Sequence, residues 1–561
     1  MQGLVLVLGF AALALSWLAP GHYPPWPSFQ AEFVACAAGS LIGVGVALQR
    51  KTRWSWLAVV TLLTATVPLL QTAFGQILFV SDGVLSAAYA AAFALSMVAG
   101  MTLANSRRSE LLDGLTTAFV VAAIASGGIA LAQWLQVGHD LFVTDLRPGD
   151  RPYANLAQPN HLATLLALGV VGLLRWFEAR RIGRFTASLG TAWLGIGLVL
   201  TQSRTGWLFV ALMVVWCAAG RRRAGLRLQL PAVAIGAAAF AAGVASLAAV
   251  NDALLLAPLG ISLEEHTKSG VRWIHWQTLA DGLWQSPWFG YGWSQVTLAQ
   301  QAAAQNYPMT GEQLLNSHNL VLDLLLWNGI PLGAILVVAL VVWFVLQVKA
   351  SRTPDQWVLL AGVGAVFIHA LLEYPLNYMY FLLPTGLMMG ALDGLNERSR
   401  GWSVPRLGFA LPLVTLVGLF AWVSIEYAKV EAAAWQLRMV SARIGVDRVS
   451  TAPPPDVLLL DALREFQRFA TTEAKAGMTE QELDWMRTVS HRFAYAPSML
   501  RFALAAGLNG HPEEARRTLV LLCKMNPAPR CEEGRTAWHE LQQKYAVLRG
   551  VQMPAREAAG G

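Results

Sequence analysis

Residues 316–348 read NSHNLVLDLLLWNGIPLGAILVVALVVWFVLQV, a short polar group followed by a long apolar run. A membrane-spanning helix needs roughly 20 apolar residues, so this run predicts one. His318 therefore stands where a helix meets the membrane surface. An imidazole can act as an acid, a base or a phosphate ligand, so each of these roles is open to His318. The alternative is that the neighbouring Asn and Ser residues only cap the helix and that His318 is an interfacial side chain.

The composition indicates a polytopic membrane protein. Of the 561 residues, 55% are hydrophobic and only 13% are charged, whereas soluble domains carry about 25% charged residues. The net charge of +7 is small for this length, and it is better explained as a signal of membrane topology than as a nucleic-acid-binding surface. Four cysteines without a Cys/His cluster predict neither a disulfide scaffold nor a metal site, and no cofactor is expected.

Apolar runs that approach the length of a membrane span recur along the chain. The first lacks the basic residues of a cleaved signal peptide, so we interpret it as a membrane helix. We predict an all-α fold, a polytopic helical bundle of about 12–13 transmembrane helices. The runs cover residues 3–19, 30–48, 54–74, 81–104, 111–135, 161–175, 185–201, 205–219, 229–250, 319–348, 355–372, 376–394 and 407–426.

Basic residues alternate between the two sides of this predicted bundle. One set of connections is rich in Lys and Arg, and the positive-inside rule makes it cytoplasmic, with the N-terminus on the same side. The opposite connections hold few basic residues, and the C-terminus lies on that external side. The cytoplasmic set is Arg50, Lys51, Arg53, Arg107, Arg108, Arg175, Arg180, Arg181, Arg184, Arg221, Arg222, Arg223, Arg227, Lys349, Arg352, Arg398, Arg400 and Arg406; the external set is Arg147, Arg151, Arg204, Lys268 and Arg272.

The pattern predicts a transmembrane domain over residues 1–427 and a soluble helical domain over residues 428–561. Two larger external loops cover about 136–160 and 251–318, the second rich in Trp and Gln. The C-terminal domain reads as amphipathic helices, with one tetratricopeptide-like helical hairpin and no repeat array. In an oxidising compartment Cys523 and Cys531 could form a disulfide; otherwise they would be two free thiols.

Several polar residues fall on the external side, where charge is scarce. Arg204 separates two apolar runs, which implies a sharp reversal of the chain, and Arg272 lies in the Trp-rich loop. Either arginine could simply anchor a helix at the headgroups or face water. An arginine kept on a side that is poor in basic residues instead suggests an anionic partner such as a phosphate. The remaining polar candidates are Gln158, Asn160, His161, Gln202, Asn319, Glu373 and Tyr374.

Several of these motifs resemble the O-antigen ligase and polymerase superfamily, which includes O-antigen ligases and the bacterial protein O-oligosaccharyltransferases of the pilin-glycosylating type. The motifs are the Gln-Pro-Asn-His run that ends in Asn160-His161, Gln202-Ser203-Arg204-x-x-x-Leu208, and His318-Asn319 followed by Gly329. The segments 151–161 and 369–378, together with the helical tail, are most similar to the protein-glycosylating branch. The resemblance covers nearly the whole chain.

The resemblance implies a metal-independent, inverting glycosyl transfer at the periplasmic face of the bacterial inner membrane. The donor would be an oligosaccharide on undecaprenyl pyrophosphate, and the acceptor would be a Ser or Thr hydroxyl of a periplasmic or pilin-like protein. Arg204 and Arg272 would bind the pyrophosphate and stabilise the leaving group. His318 would either take the proton from the hydroxyl or bind the pyrophosphate, and the other polar candidates would support the site.

Other functions fit parts of the same pattern. An O-antigen ligase would use a sugar of lipid A-core as its acceptor, and a polymerase would use another lipid-linked glycan. A transporter of lipid-linked sugar belongs to a different class, and it would place polar groups along a pathway that reaches both faces. Here the polar groups cluster at one face, which favours the enzyme. A non-catalytic scaffold would depend on the tail and not on His318.

Overall fold

The computed structural model describes residues 1–21, 23–137, 142–259, 270–399, 401–442 and 453–554. Lys268 and Arg400, which entered the charge pattern, lie outside these ranges. The helices, in chain order, are α1 Gln2–Ser16, α2 Phe29–Ala47, α3 Trp56–Thr64, α4 Thr66–Ala73, α5 Val80–Ser106, α6 Arg108–Trp134, α7 Pro159–Glu178, α8 Arg184–Thr201, α9 Arg204–Arg223, α10 Leu230–Ala253, α11 Gly270–Gln285, α12 Val296–Ala303, α13 Leu320–Ala350, α14 Pro354–Ala370, α15 Met379–Leu395, α16 Arg406–Ser441, α17 Asp461–Thr471, α18 Glu480–Arg492, α19 Ala496–Leu508, α20 Pro512–Met525 and α21 Ala528–Lys544.

The described part of the chain is almost entirely helical. Each of the predicted apolar runs coincides with a helix or a pair of short helices. Among the described residues, eight helical segments are long and apolar enough to cross a membrane, one of them made of α3 and α4, and α1 and α15 are shorter apolar helices. The all-α, polytopic fold class is therefore confirmed, while the total of 12–13 spans stays a prediction. The eight segments are Phe29–Ala47, Trp56–Ala73, Val80–Ser106, Arg108–Trp134, Pro159–Glu178, Leu230–Ala253, Leu320–Ala350 and Arg406–Val440.

The chain forms two compact units, each assembled from separate segments. The first contains Met1–Ala65, Ala88–Lys268 and Val338–Ala421, and the second contains Thr66–Ala87, Ser269–Val337 and Trp422–Gly561.

The first unit is a bundle with an aromatic and aliphatic core. The indole ring of Trp17 is fully buried and meets the ring of Phe119 edge to face, with 5.9 Å between their centroids. Helices α5 and α15 approach so closely that a Cβ on Gly390 would lie only 1.8 Å from the carbonyl oxygen of Met97. Small residues at such crossings let helix backbones pack together where water supplies no driving force. A two-stranded antiparallel ribbon, Lys51–Trp54 with Trp402–Pro405, joins two connections of this unit.

In the second unit, helix α13 is interrupted at Gly329, whose φ of 76° and ψ of 170° are accessible almost only to glycine. The segment before α12 packs into this interruption. The amide of Ile330 donates to the carbonyl of Pro287 at 2.7 Å, and the amide of Tyr291 donates to the carbonyl of Leu326 at 2.7 Å. Pro331 has no amide hydrogen to satisfy. The Gly-Ile-Pro motif thus exchanges helical hydrogen bonds for bonds to residues 287–291.

We expect Gly329→Ala to destabilise the protein by about 1–3 kcal/mol, because alanine disfavours this backbone conformation. A Cβ at this position would also lie 2.3 Å from the carbonyl oxygen of Trp288. The measurement is the midpoint temperature of unfolding in detergent. Gly418→Ala in α16 is the matched control, because its Cβ would enter open space. Equal midpoints for the two variants would contradict this role for Gly329.

The C-terminal helices α17 to α21 belong to the second unit and pack on residues 66–87 of the same unit. Arg492 donates through Nε and Nη2 to the carboxylate of Asp82, at 2.6 and 2.9 Å. Asp461 accepts from the amides of Val80 and Ser81 at the start of α5, at 3.0 and 2.8 Å. Cys523 and Cys531 form a disulfide and are not two free thiols.

Candidate functional site

The polar residues of the first unit meet around the N-terminus of α7. Pro159 is the first residue of this helix, as its sequence context predicts, and Gln158 precedes it in an extended conformation. Asn160 donates from Nδ2 to Glu373 Oε1 at 3.2 Å and accepts at Oδ1 from the hydroxyl of Ser203 at 2.6 Å. The structure therefore brings Asn160 and Glu373 together, although they are 213 positions apart. It adds Ser203, which was not among the predicted site residues.

Arg204 begins helix α9 directly after a tight reversal of the chain. Helix α8 ends at Thr201, and Gln202 follows in the left-handed region, with φ of 45°. The Ser203 side chain accepts from the amide of Gly206 and so caps α9, while Arg151 Nη1 donates to the carbonyl of Gln202 at 3.3 Å. The predicted sharp reversal between the two apolar runs is confirmed.

The position of Arg204 is unfavourable for helix stability but favourable for binding an anion. The exposed Arg204 is the first residue of α9, where the helix dipole is positive. A cation in that turn is disfavoured by about 0.3–1 kcal/mol, whereas an anion is favoured. A helix N-terminus and an exposed guanidinium together suit phosphate oxygens.

The side chains of His161 and Tyr374 pack against aromatic rings. The imidazole of His161 is fully buried, and its Nδ1 lies 3.0 Å from the hydroxyl of Tyr380. Its ring also packs against those of His369, Tyr378 and Phe381. Tyr374 is partly exposed and stacks on Tyr378. His161 is thus a core residue near the start of α7.

In the second unit, the residues on either side of His318 cap helix α13. Asn319 Oδ1 accepts from the amides of Val321 and Leu322, at 3.0 and 3.2 Å. The amide of Ser317 donates to Asp323 Oδ1 at 2.8 Å. Capping, the alternative explanation for this motif, therefore applies to Asn319.

His318 itself has a left-handed backbone, with φ of 57°. Residues other than glycine adopt this region at a cost, and such residues are enriched at functional sites. The side chain is partly exposed. The hydrogen bonds of its two neighbours hold the backbone in this conformation, so His318 is presented from a rigid loop at the start of the helix.

Arg272 and His275 lie one turn apart on helix α11, close to His318. Burial, together with the charges of His318 and Arg272, lowers the pKa of His275 to about 4. The indole of Trp276 donates to the carbonyl of Ser317 at 3.0 Å, which joins α11 to the loop of His318. His275 thus lies within electrostatic reach of both Arg272 and His318. His275 was not among the predicted site residues, and its three-residue spacing from Arg272 was the available signal.

These groups can bind an anion and exchange a proton without a metal. A guanidinium binds phosphate oxygens through two parallel hydrogen bonds, and an imidazole accepts or donates a proton near neutral pH. Within the ranges that the structure describes, no group of three or more His, Cys, Asp or Glu side chains is placed to hold a metal ion. Chemistry without a metal stays a prediction.

Three protein-family models match consecutive parts of the chain. A model described as protein glycosylation ligase matches residues 152–177, which include Asn160. A model described as O-antigen ligase matches residues 189–337, which include Arg204, Arg272 and His318. A model described as virulence factor membrane-bound polymerase, C-terminal, matches residues 357–533.

Two curated proteins of Acinetobacter baylyi are similar over most of the chain. A general O-oligosaccharyltransferase is 31% identical over 418 residues, which is 72% of each chain. A ComP-specific O-oligosaccharyltransferase is 26% identical over 331 residues, or 59% of this chain and 60% of the relative. The resemblance drawn from the sequence motifs is confirmed. The protein is a multi-pass membrane glycosyltransferase, and it belongs to the O-oligosaccharyltransferase family.

Proposed function

We propose that this protein transfers an oligosaccharide from undecaprenyl pyrophosphate to Ser or Thr hydroxyls of periplasmic or pilin-like proteins. The observation that carries the proposal is the 31% identity to a general O-oligosaccharyltransferase over 72% of both chains. The local chemistry supports it, because two arginines and an imidazole suit a pyrophosphate leaving group and a hydroxyl nucleophile.

In the proposed reaction, the hydroxyl oxygen forms a bond to the anomeric carbon of the glycan while the bond from that carbon to the phosphate oxygen breaks. Arg272 and Arg204 each bind the pyrophosphate and stabilise its growing charge. His318 takes the hydroxyl proton or, in the alternative role, binds the pyrophosphate. Asn160, Gln158, Gln202, Glu373 and Tyr374 support the donor site, and His161 and Asn319 hold the helix starts.

The proposed location is the bacterial inner membrane, with the N-terminus in the cytoplasm and residues 428–561 in the periplasm. The one-sided distribution of Lys and Arg supports this orientation. The disulfide between Cys523 and Cys531 supports it independently, because disulfides persist in oxidising compartments such as the periplasm.

An O-antigen ligase is the second candidate, because the family model of that description covers the segment with Arg204, Arg272 and His318. The acceptor would then be a sugar of lipid A-core. A polymerase, which the description of the third model suggests, would use another lipid-linked glycan. A transporter would move the lipid-linked glycan without breaking its bond to phosphate.

The test is to express the chain with a single lipid-linked glycan in a bacterial strain that lacks both protein- and lipopolysaccharide-modifying transferases. We expect the glycan on periplasmic or pilin-like protein, detected by mass spectrometry as a Ser- or Thr-linked adduct. The empty vector is the control. Glycan on lipopolysaccharide alone would establish the ligase instead, and longer lipid-linked glycan alone would establish the polymerase.

A further inference from the structure

His275 is a buried imidazole whose chemistry the proposed reaction does not yet use. Its residue surface is only 4% exposed, and it lies on α11 near Arg272 and His318. Its Nδ1 lies 3.8 Å from Glu312 Oε2. Its Nε2 is buried, and it has no hydrogen-bond partner among the residues that the structure describes. A buried polar atom without a partner costs about 1–3 kcal/mol, so this nitrogen calls for a ligand.

The surroundings of His275 determine which kind of ligand fits. Burial, with the charges of His318 and Arg272, keeps the ring neutral by lowering its pKa to about 4. A neutral imidazole carries one N–H and one lone pair. The N–H is favoured at Nδ1, which faces the carboxylate of Glu312, and the lone pair is then at Nε2. Nε2 is therefore a hydrogen-bond acceptor.

An acceptor nitrogen discriminates between the parts of the proposed substrates. Ionised pyrophosphate oxygens are themselves acceptors, so they do not suit Nε2. Hydroxyl groups of a sugar, an acetamido N–H of a sugar, and the hydroxyl or amide N–H groups of the acceptor protein are donors. Arg272 and His275 on the same helix thus have complementary preferences, one for the anion and the other for a neutral donor group.

We propose that His275 is a further substrate-binding residue, whose Nε2 accepts a hydrogen bond from a hydroxyl or N–H group of the glycan or of the acceptor. This inference rests on the proposed function and adds a residue to the same site. No proton is transferred in this contact. The hydrogen bond from the indole of Trp276 to the carbonyl of Ser317 holds the helix of His275 against the loop of His318.

The test compares three substitutions that differ in where they place polar atoms. His275→Gln places an amide near the position of Nε2, His275→Asn places one near Nδ1, and His275→Leu removes both. The full-length protein in proteoliposomes is given undecaprenyl-pyrophosphate-linked glycan and acceptor protein. KM for each substrate and kcat are measured for transfer, and release of free glycan into water is measured without acceptor.

We expect His275→Leu and His275→Asn to raise the KM of one substrate by about five- to a hundred-fold, since one hydrogen bond to a buried group is lost. His275→Gln should raise it clearly less. A raised donor KM in both transfer and hydrolysis would assign the contact to the glycan, whereas a raised acceptor KM alone would assign it to the acceptor. Gln277→Leu, on the exposed side of the same helix, is the matched control and should leave both values unchanged.

Three outcomes would overturn the inference. Unchanged KM values in all His275 variants would show that Nε2 binds neither substrate. Equal effects of His275→Gln and His275→Asn, or a loss of kcat that follows a lower unfolding temperature, would show a packing role. No transfer and no hydrolysis by the wild-type protein would instead refute the proposed function, and the inference with it.

Discussion

Replacing His318 with alanine is expected to lower the rate of glycan transfer by about 10²–10⁴-fold, the contribution typical of a general base. The contacts of the residues beside His318 support this expectation. The helix cap beside it is Asn319, whose Oδ1 accepts from the amides of Val321 and Leu322, and His318→Ala leaves this cap in place. The loss is therefore expected in kcat, measured on purified protein that is folded at the assay temperature.

His318→Asn is the control that separates the imidazole from the backbone. The left-handed conformation of residue 318, with φ of 57°, is tolerated by asparagine and is costlier for alanine. If the imidazole carries the activity, both variants lose transfer to a similar degree. If asparagine restores near-normal transfer while alanine does not, the backbone conformation is what matters and the catalytic role of His318 is wrong.

Arg204→Lys is the second prediction with a large expected effect. It keeps the positive charge at the start of α9 but removes the planar fork that binds two phosphate oxygens at once. Hydrogen bonds to charged groups contribute about 1.5–3 kcal/mol, so we expect transfer to fall by about 10- to 100-fold. The measurement is the rate of transfer at limiting concentration of the lipid-linked donor.

Arg222→Lys in the last turn of the same helix is the matched control for this substitution. Arg222 is exposed, and a cation there is favoured by the helix dipole whether it is Lys or Arg. Arg204→Lys should not lower the unfolding temperature, because the helix dipole disfavours either cation at that end. Full transfer by Arg204→Lys would mean that a point charge suffices and that bidentate binding is not used.

Much of the fold was predictable from local sequence. Each apolar run became a helix or a pair of short helices, because partition into a bilayer depends on the hydrophobicity of a segment and hardly on its partners. The turn at Gln202 and Ser203 and the helix start at Pro159 were also predictable, since capping and proline preferences act within a few residues.

The candidate site was predictable only in part. The motifs identified five polar residues as candidates for the site: His318, Arg204, Arg272, Asn160 and Glu373. They left open whether Asn319 caps a helix, and they did not reveal that His161 is fully buried or that Ser203 joins Asn160. Gly329 was part of a motif, and its reason became clear only with residues 287–291 packed into the helix interruption.

His275 shows why such residues are missed. On α11 it occupies one position in a segment with several tryptophans, and nothing local separates it from an exposed interfacial histidine. It is buried, and it lies near Glu312 and His318 because Glu312 and the carbonyl of Ser317 contact α11 from a later segment of the chain.

By itself, then, the sequence determined an all-α membrane protein of the glycan-transferring superfamily, with a polar His318 at the start of a membrane helix. Those conclusions rest on hydropathy, capping and short motifs, which are properties of neighbouring residues. Only the tertiary structure decided which polar side chains cap helices, which are buried and which face each other. Such contacts join segments as far apart as Asn160 and Glu373, and burial follows from the packing of whole helices, which no single segment encodes.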